Sequence, residues 1–137
     1  MSQSTGGEGI YICASGVLED GGKGVRFPVQ AFGAAATGFV VRHAGQVRAY
    51  LNRCAHVPVE LDWFEGEFFE SGKLYLMCSA HGALYLPESG VCAGGPCRGG
   101  KLRPIAVREH ADGVYWQPDQ AIRAPAADAG EGGQAAS

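Results

Sequence analysis

Val47-Arg48-Ala49-Tyr50-Leu51-Asn52-Arg53-Cys54-Ala55-His56 is the stretch on which the reading of this chain turns. Val47, Ala49 and Leu51 alternate with Arg48, Tyr50 and Asn52, the two-residue period of a strand that buries one face. A thiol and an imidazole follow at once, one residue apart. The same arrangement recurs downstream, where Leu74, Leu76 and Cys78 alternate with Tyr75 and Met77, and the run ends in Cys78-Ser79-Ala80-His81. The two Cys-His pairs are separated by 21 residues. Both fall at strand ends, where loops can converge on one centre.

Further outward the period of two persists. Val25, Phe27 and Val29 alternate with Arg26, Pro28 and Gln30, and Ile105 and Val107 alternate with Ala106 and Arg108. His43-Ala44-Gly45-Gln46 lies between two such runs and reads as a hairpin turn, with Gly45 supplying a positive φ. His43 is then expected as a solvent-exposed turn residue, and His110, beside Ala111-Asp112-Gly113, as a turn residue with no chemistry assigned. No long segment keeps a 3.6-residue period with good caps. The expected fold is therefore all-β, an antiparallel sandwich or barrel with loops projecting from one end.

Composition agrees. The chain has 137 residues, of which 46% are hydrophobic, 18% charged and 22 glycine, as suits one loop-rich β domain. Residues 1–9 read as a small polar lead-in, residues 10–118 as the domain, and residues 119–137 as a mobile Ala/Gly-rich tail. A net charge of −3 argues against a nucleic-acid partner. The N-terminal residues have neither a basic nor an apolar segment of a secretory signal, and no run approaches the roughly 20 apolar residues of a membrane span. A soluble cytoplasmic protein is expected, without membrane partners. In that compartment Cys13, Cys54, Cys78, Cys92 and Cys97 are expected as thiols or metal ligands. Cys13 reads as a small buried hydrophobe on a strand.

Two thiolates and two imidazoles are the donors that a two-iron, two-sulfide cluster takes when one iron has sulfur ligands and the other nitrogen ligands. Two thiolates leave the oxidised ferric pair near neutral. An all-cysteine set is more negative and harder to reduce, so the mixed set raises the potential, to about −150 to +300 mV. A structural Cys2His2 zinc site uses the same donor types. Its spacing differs, because zinc fingers pair cysteines with cysteines and histidines with histidines.

Cys54-Ala55-His56, Cys78-Ser79-Ala80-His81-Gly82 and the loop Gly94-Gly95-Pro96-Cys97, followed by Leu102 and Pro104, resemble the Rieske 2Fe-2S family over residues 10–118. The resemblance implies a Rieske-like β fold with a smaller cluster-binding subdomain made of three loops, and one 2Fe-2S cluster per chain. It implies Cys54 and Cys78 as ligands of the inner iron, His56 and His81 as ligands of the outer iron, and Gly94-Gly95-Pro96 as a cover. It further implies one-electron transfer by a ferredoxin without its own substrate site, between a flavin reductase and a terminal oxygenase or other acceptor. The competing functions are a small oxygenase subunit and a redox or iron-sulfur sensor. A mononuclear catalytic iron needs two histidines and a carboxylate, and only His43 and His110 remain.

The departures from the family carry expectations of their own. Respiratory Rieske proteins have a disulfide whose cysteines correspond here to Val59 and Ala80, and a serine donor to sulfide that corresponds to Ala83; an accompanying tyrosine has its counterpart in Tyr85. Loss of a donor to sulfide lowers the expected potential toward the bottom of the range. The spacer, with Glu60, Asp62, Trp63, Phe64, Glu65, Glu67, Phe68, Phe69 and Glu70, is a few residues longer than in the family's ferredoxins. Its aromatics are expected to pack and its acids to form a solvated face, open to a basic redox partner. Cys92 and Cys97 flank the cover, and a cytoplasmic setting favours two thiols. The free ring nitrogens of His56 and His81 should make the potential fall with rising pH.

Overall fold

The alternating runs become strands. The computed structural model describes residues 9–55, 59–62, 64–80, 82–111 and 113–125. Among them lie β1 (Ile10–Ala14), β2 (Val25–Ala31), β3 (Ala34–His43), β4 (Gln46–Leu51), β5 (Leu76–Cys78), β6 (Ala83–Tyr85), β7 (Cys92–Gly94), β8 (Ala106–His110), β9 (Gly113–Gln117) and β10 (Ile122–Arg123). Three antiparallel sheets form, in the orders β1-β9-β8, β10-β2-β3-β4 and β5-β6-β7. The antiparallel all-β expectation is met, and the small third sheet is the separate lobe.

The first two sheets are stitched along β4 and β8. The Ile105 amide donates to the Ala49 carbonyl (3.0 Å) and the Leu51 amide to the Arg103 carbonyl (2.9 Å). Val29, Val40, Leu51, Val114 and Trp116 fill the space between these sheets. Pro28 is tolerated in β2 because β10 pairs only with Gln30 and Ala31, so the missing N–H of Pro28 faces no strand of the sheet on that side.

A single buried face is not enough to describe β3 and β4. Val40 points into the first core, while Phe39 and Val41 point into a second, and Tyr50 does the same between Ala49 and Leu51. The second core belongs to the lobe, with Leu61, Phe68, Leu76, Tyr85 and Leu102 packed on those side chains. Phe39 stacks on Phe68 at 4.0 Å and 9°, a contact that fastens the lobe to the sheet.

Three local differences follow from this packing. The 43–46 hairpin turn forms, with Ala44 and Gly45 both at positive φ (52° and 79°), the geometry of the two-residue turn that matches strand twist. His43 is nevertheless not a free turn residue: its ring lies 6.1 Å from Phe69 in a stacked contact and its side chain is only 17% exposed. The lobe covers it, which local sequence does not reveal. Leu74 sits in the turn before β5 and is exposed, so the alternation there begins only at Leu76. His110 ends β8 against the ring of Tyr115, and Cys13 is buried on β1 as expected. Burial is the main reason that the Cys13 thiol is pushed up in pKa. Residues 122–123, within the stretch read from composition as a tail, form β10.

Candidate metal centre

Asn52 closes β4 and anchors the first loop. Its side-chain amide donates to Asp62 (2.9 Å) and its carbonyl oxygen accepts from the Leu61 amide (2.8 Å). Two residues on, the Cys54 amide donates to the Val59 carbonyl (2.8 Å), folding the loop back upon itself. The second loop starts where β5 ends, at Cys78. The Gly82 amide donates to the Cys78 carbonyl (2.9 Å), and the turn uses Gly82 at φ +75°, a conformation other residues resist. The Ser79 amide donates to the Leu61 carbonyl (3.0 Å), which ties the second loop to the first.

Cys54 and Cys78 therefore enter one core, at 3% and 0% exposure. His56 and His81, the other two expected ligands, lie outside the described residues, as does Trp63. Among the described residues no three His, Cys, Asp or Glu side chains gather as a metal site.

Tyr85 is the residue that gives the centre its polarity. Its hydroxyl accepts from the Ala55 amide (2.9 Å) and lies 3.2 Å from the Cys54 Sγ. When Cys54 is a thiolate the hydroxyl is the donor of this pair, while one of its lone pairs accepts from the amide. Burial first, and the hydrogen bond with Cys54 second, push the phenol well above its usual pKa, so it remains a donor at any physiological pH. Ala83 is fully buried and offers no hydroxyl. Two buried sulfurs on adjoining loops, one of them within hydrogen-bond reach of the Tyr85 hydroxyl, fit as thiolate donors that would hold one iron of such a cluster.

The third loop follows β7 and turns through a 3-10 segment, Gly95–Cys97. Gly95, at φ +83°, lies so close to the second loop that a Cβ would stand 2.9 Å from the Gly82 carbonyl oxygen. A Cβ on Gly100 would stand 3.0 Å from that of Ala55 in the first loop. The third loop thus rests on both cysteine-bearing loops. Cys92 and Cys97 are joined in a disulfide, with Cα atoms 5.6 Å apart. This corrects the expectation of two thiols. Compartment speaks only to the redox poise, whereas the turn brings the two Cα atoms into bridging range.

The spacer is less of a free acidic face than its composition suggests. Asp62 is buried, accepting from Asn52 and from the Gly66 amide (3.0 Å), with Arg26 Nε at 3.4 Å. Glu60 pairs with Arg26 as well, and Glu67 with Lys23 at 3.8 Å. Glu70 accepts from the Leu74 and Gly72 amides, which hold its carboxyl below the usual range. Phe68 is core, whereas Phe64 is 70% exposed. Structure-bearing Asp62 was hidden by its company of surface acids; the signal was Asn52, an amide next to a ligand loop.

Solved structures that share this fold include ferredoxins. The ferredoxin of carbazole 1,9a-dioxygenase from Nocardioides aromaticivorans IC177 superposes with a TM-score of 0.63 at 22% identity, covering 80% of this chain and 97% of that one. A Sphingomonas yanoikuyae B1 ferredoxin gives 0.61 at 18% identity, covering 81% and 99%. A complex of reduced oxygenase and oxidized ferredoxin in carbazole 1,9a-dioxygenase contains a chain that matches at 0.60 and 23% identity, covering 79% and 91%. At these identities the likeness is one of fold. Comparison with curated proteins by sequence gives no match. The family model of the Rieske [2Fe-2S] domain matches residues 10–123, which take in both Cys-His motifs, Tyr85 and the third loop. The chain therefore belongs to the Rieske [2Fe-2S] domain family, whose cofactor is a 2Fe-2S cluster and whose chemistry is electron transfer.

Proposed function

We propose that this chain is a one-electron carrier of the ferredoxin type, with Cys54 and Cys78 on one iron and His56 and His81 on the other. The observation that carries the assignment is the burial of Cys54 and Cys78 in one core, with the Tyr85 hydroxyl 3.2 Å from the Cys54 sulfur. When bound, the cluster supplies a one-electron couple. The chain's own residues then set its environment. Tyr85 directs a proton at the Cys54 sulfur and favours the more negative, reduced state. Ala83 gives no second donor, which keeps the potential toward the lower end of the family's range. Gly94, Gly95 and Pro96 shield the sulfur side, and His56 and His81 form the electron's route to a partner.

The carrier reading places the chain between a flavin reductase and a terminal oxygenase, in the cytoplasm, without a substrate site of its own. One structural relative is a ferredoxin found in complex with its oxygenase, which supports that choice of acceptor. The oxygenase-subunit reading loses support from the remaining imidazoles, since His43 stacks on Phe69 and His110 on Tyr115 in separate parts of the fold. Among the described residues no helix is long and apolar enough to cross a membrane. The working unit is the domain expected over residues 10–118, extended to residue 123 so that it includes β10; the rest of the expected lead-in and tail, residues 1–8 and 126–137, lies outside the described residues.

The test is the electron paramagnetic resonance spectrum of the dithionite-reduced protein beside the optical spectrum of the oxidised form. A rhombic signal with an average g below the free-electron value, and visible absorption, is expected. A colourless, silent protein holding zinc would overturn the proposal.

A further inference from the structure

We propose that the Cys92–Cys97 disulfide is a thiol–disulfide exchange site for a dithiol reductant, and that opening it loosens the grip of the cover on both ligand loops. The second half of this inference rests on the ligand reading above; the first half does not.

The geometry distinguishes the two sulfurs. Cys97 is buried, at 2% exposure, while Cys92 is half-buried. A cavity of about 320 Å³ opens beside Cys92, lined by Ala93, Gly94, Gly95, Arg98 and Gly99. Its walls are mostly glycine backbone, which leaves room for an approaching thiol, and Arg98 supplies a cation that attracts a thiolate. Attack is therefore directed at the Cys92 Sγ, with Cys97 as leaving group.

The leaving sulfur already has a place to rest. Cys97 Sγ lies 3.3 Å from the Leu84 carbonyl oxygen and 3.2 Å from that of Gly94. A disulfide sulfur carries no proton and uses neither oxygen, whereas a thiol donates to one of them.

The steps balance. A thiolate of the dithiol bonds to Cys92 Sγ, the S–S bond breaks, and Cys97 departs as a thiolate and takes up a proton. The reductant's second thiol then attacks its own sulfur in the mixed disulfide, and Cys92 is released as a thiol. Two electrons and two protons pass to the pair, and the dithiol leaves as a disulfide.

The closed ring of Cys92–Cys97 contains Gly95, packed on Gly82, and is followed at once by the turn that sets Gly100 on Ala55. The Gly100 amide donates to the Cys97 carbonyl (2.7 Å), and the Cys92 amide to the Gly100 carbonyl (3.0 Å). Opening the bridge leaves these two contacts held only by hydrogen bonds. A protein cycling between reducing and oxidising conditions would then carry its cluster under a looser or a tighter cover.

The test treats the cluster-loaded protein with dithiothreitol, quenches with iodoacetamide, and locates the label by mass spectrometry. Label on both Cys92 and Cys97 is expected, together with faster hydrogen exchange in residues 92–100. Loss of the visible spectrum to an iron chelator should become several-fold faster. The Cys92→Ala/Cys97→Ala variant should match the reduced parent and ignore dithiothreitol. Unlabelled Cys92 and Cys97 after treatment would overturn the exchange site whatever the cluster does. Label without a change in exchange or chelation would overturn the coupling. A protein that binds zinc would sink the ligand reading, and labelling and exchange would still decide the disulfide.

Discussion

Asn52 donates its side-chain amide to Asp62 across 2.9 Å, in the buried space below the first ligand loop. The pair links the last turn of β4 to the return arm of that loop, so the backbone bearing Cys54 is held from both sides. Asp62 is further held by the Gly66 amide and Arg26, and Asn52 by the Leu61 amide. Asn52→Ala strips a partner from the Leu61 amide and the Asp62 carboxylate together. The Leu61 amide is left unpaired and Asp62 keeps only Gly66 and Arg26, at a cost of about 1–3 kcal/mol. Urea unfolding of the variant should show that loss, and a change below a few tenths of a kcal/mol would deny the pair its role.

Tyr85→Phe removes the proton aimed at Cys54 and leaves the ring's packing in place. A hydrogen bond that strengthens by about 1 kcal/mol on reduction corresponds to a fall on the order of 40 mV in a one-electron potential. Protein-film voltammetry of parent and variant reads the shift. An unchanged or higher potential would mean that the hydroxyl serves only the Ala55 amide.

Gly38→Ala tests the packing of β3 against Phe27 of β2 and Ile105, just before β8. A Cβ there would stand 2.7 Å from the Phe27 ring and 3.0 Å from Ile105 Cδ1, both in the first core. Overpacking of this kind costs about 1–3 kcal/mol. The melting temperature should fall while the visible spectrum of the loaded protein keeps its shape, since the site draws on the other core.

Glu109 gives the fold an acid-sensitive joint. Its carboxylate takes two hydrogen bonds from Arg42 (2.7 and 3.0 Å), and Arg42 also donates to the Leu18 and Ser15 carbonyls. The Arg42 hydrogen bond is the main reason the Glu109 pKa falls from 4.5 to about 2. A pKa depressed in the folded state contributes stability fully above the unfolded value and loses it as pH drops. The contribution should thus hold above pH 4.5 and fade toward pH 2. Glu109→Gln should melt below the parent at pH 7, with the gap narrowing near pH 3. A gap that is constant with pH would place the effect elsewhere.

Strand identity was legible because it is local, a period of two, and the family was legible from the repeated Cys-His motif that its model spans. What escaped was non-local. His43 looked free since the Phe69 that covers it comes 26 positions later. Asp62 looked solvated among Glu60, Glu65 and Glu67, and only its distance to Asn52 shows otherwise. The Cys92–Cys97 bridge depends on how Gly94 and Gly95 turn, which composition does not encode. Double burial of β3 and β4 also hid behind an alternation that one buried face would explain equally well.

Tyr50 and Pro104 are bridge partners, and the whole lobe lies between them in the chain. The polypeptide leaves the two larger sheets and comes back to them at neighbouring points beside β4. Such an excursion has its ends fixed by the scaffold and its length left almost free, since doubling a flexible loop adds only about 0.6 kcal/mol of closure entropy. Lengthening the spacer by a few residues is correspondingly cheap, provided that Phe68 still reaches Phe39. The lobe can be recut without redrawing the two larger sheets, and new contact surface can be grown from the 59–75 stretch while the sulfur-bearing loops stay where β4 and β5 put them.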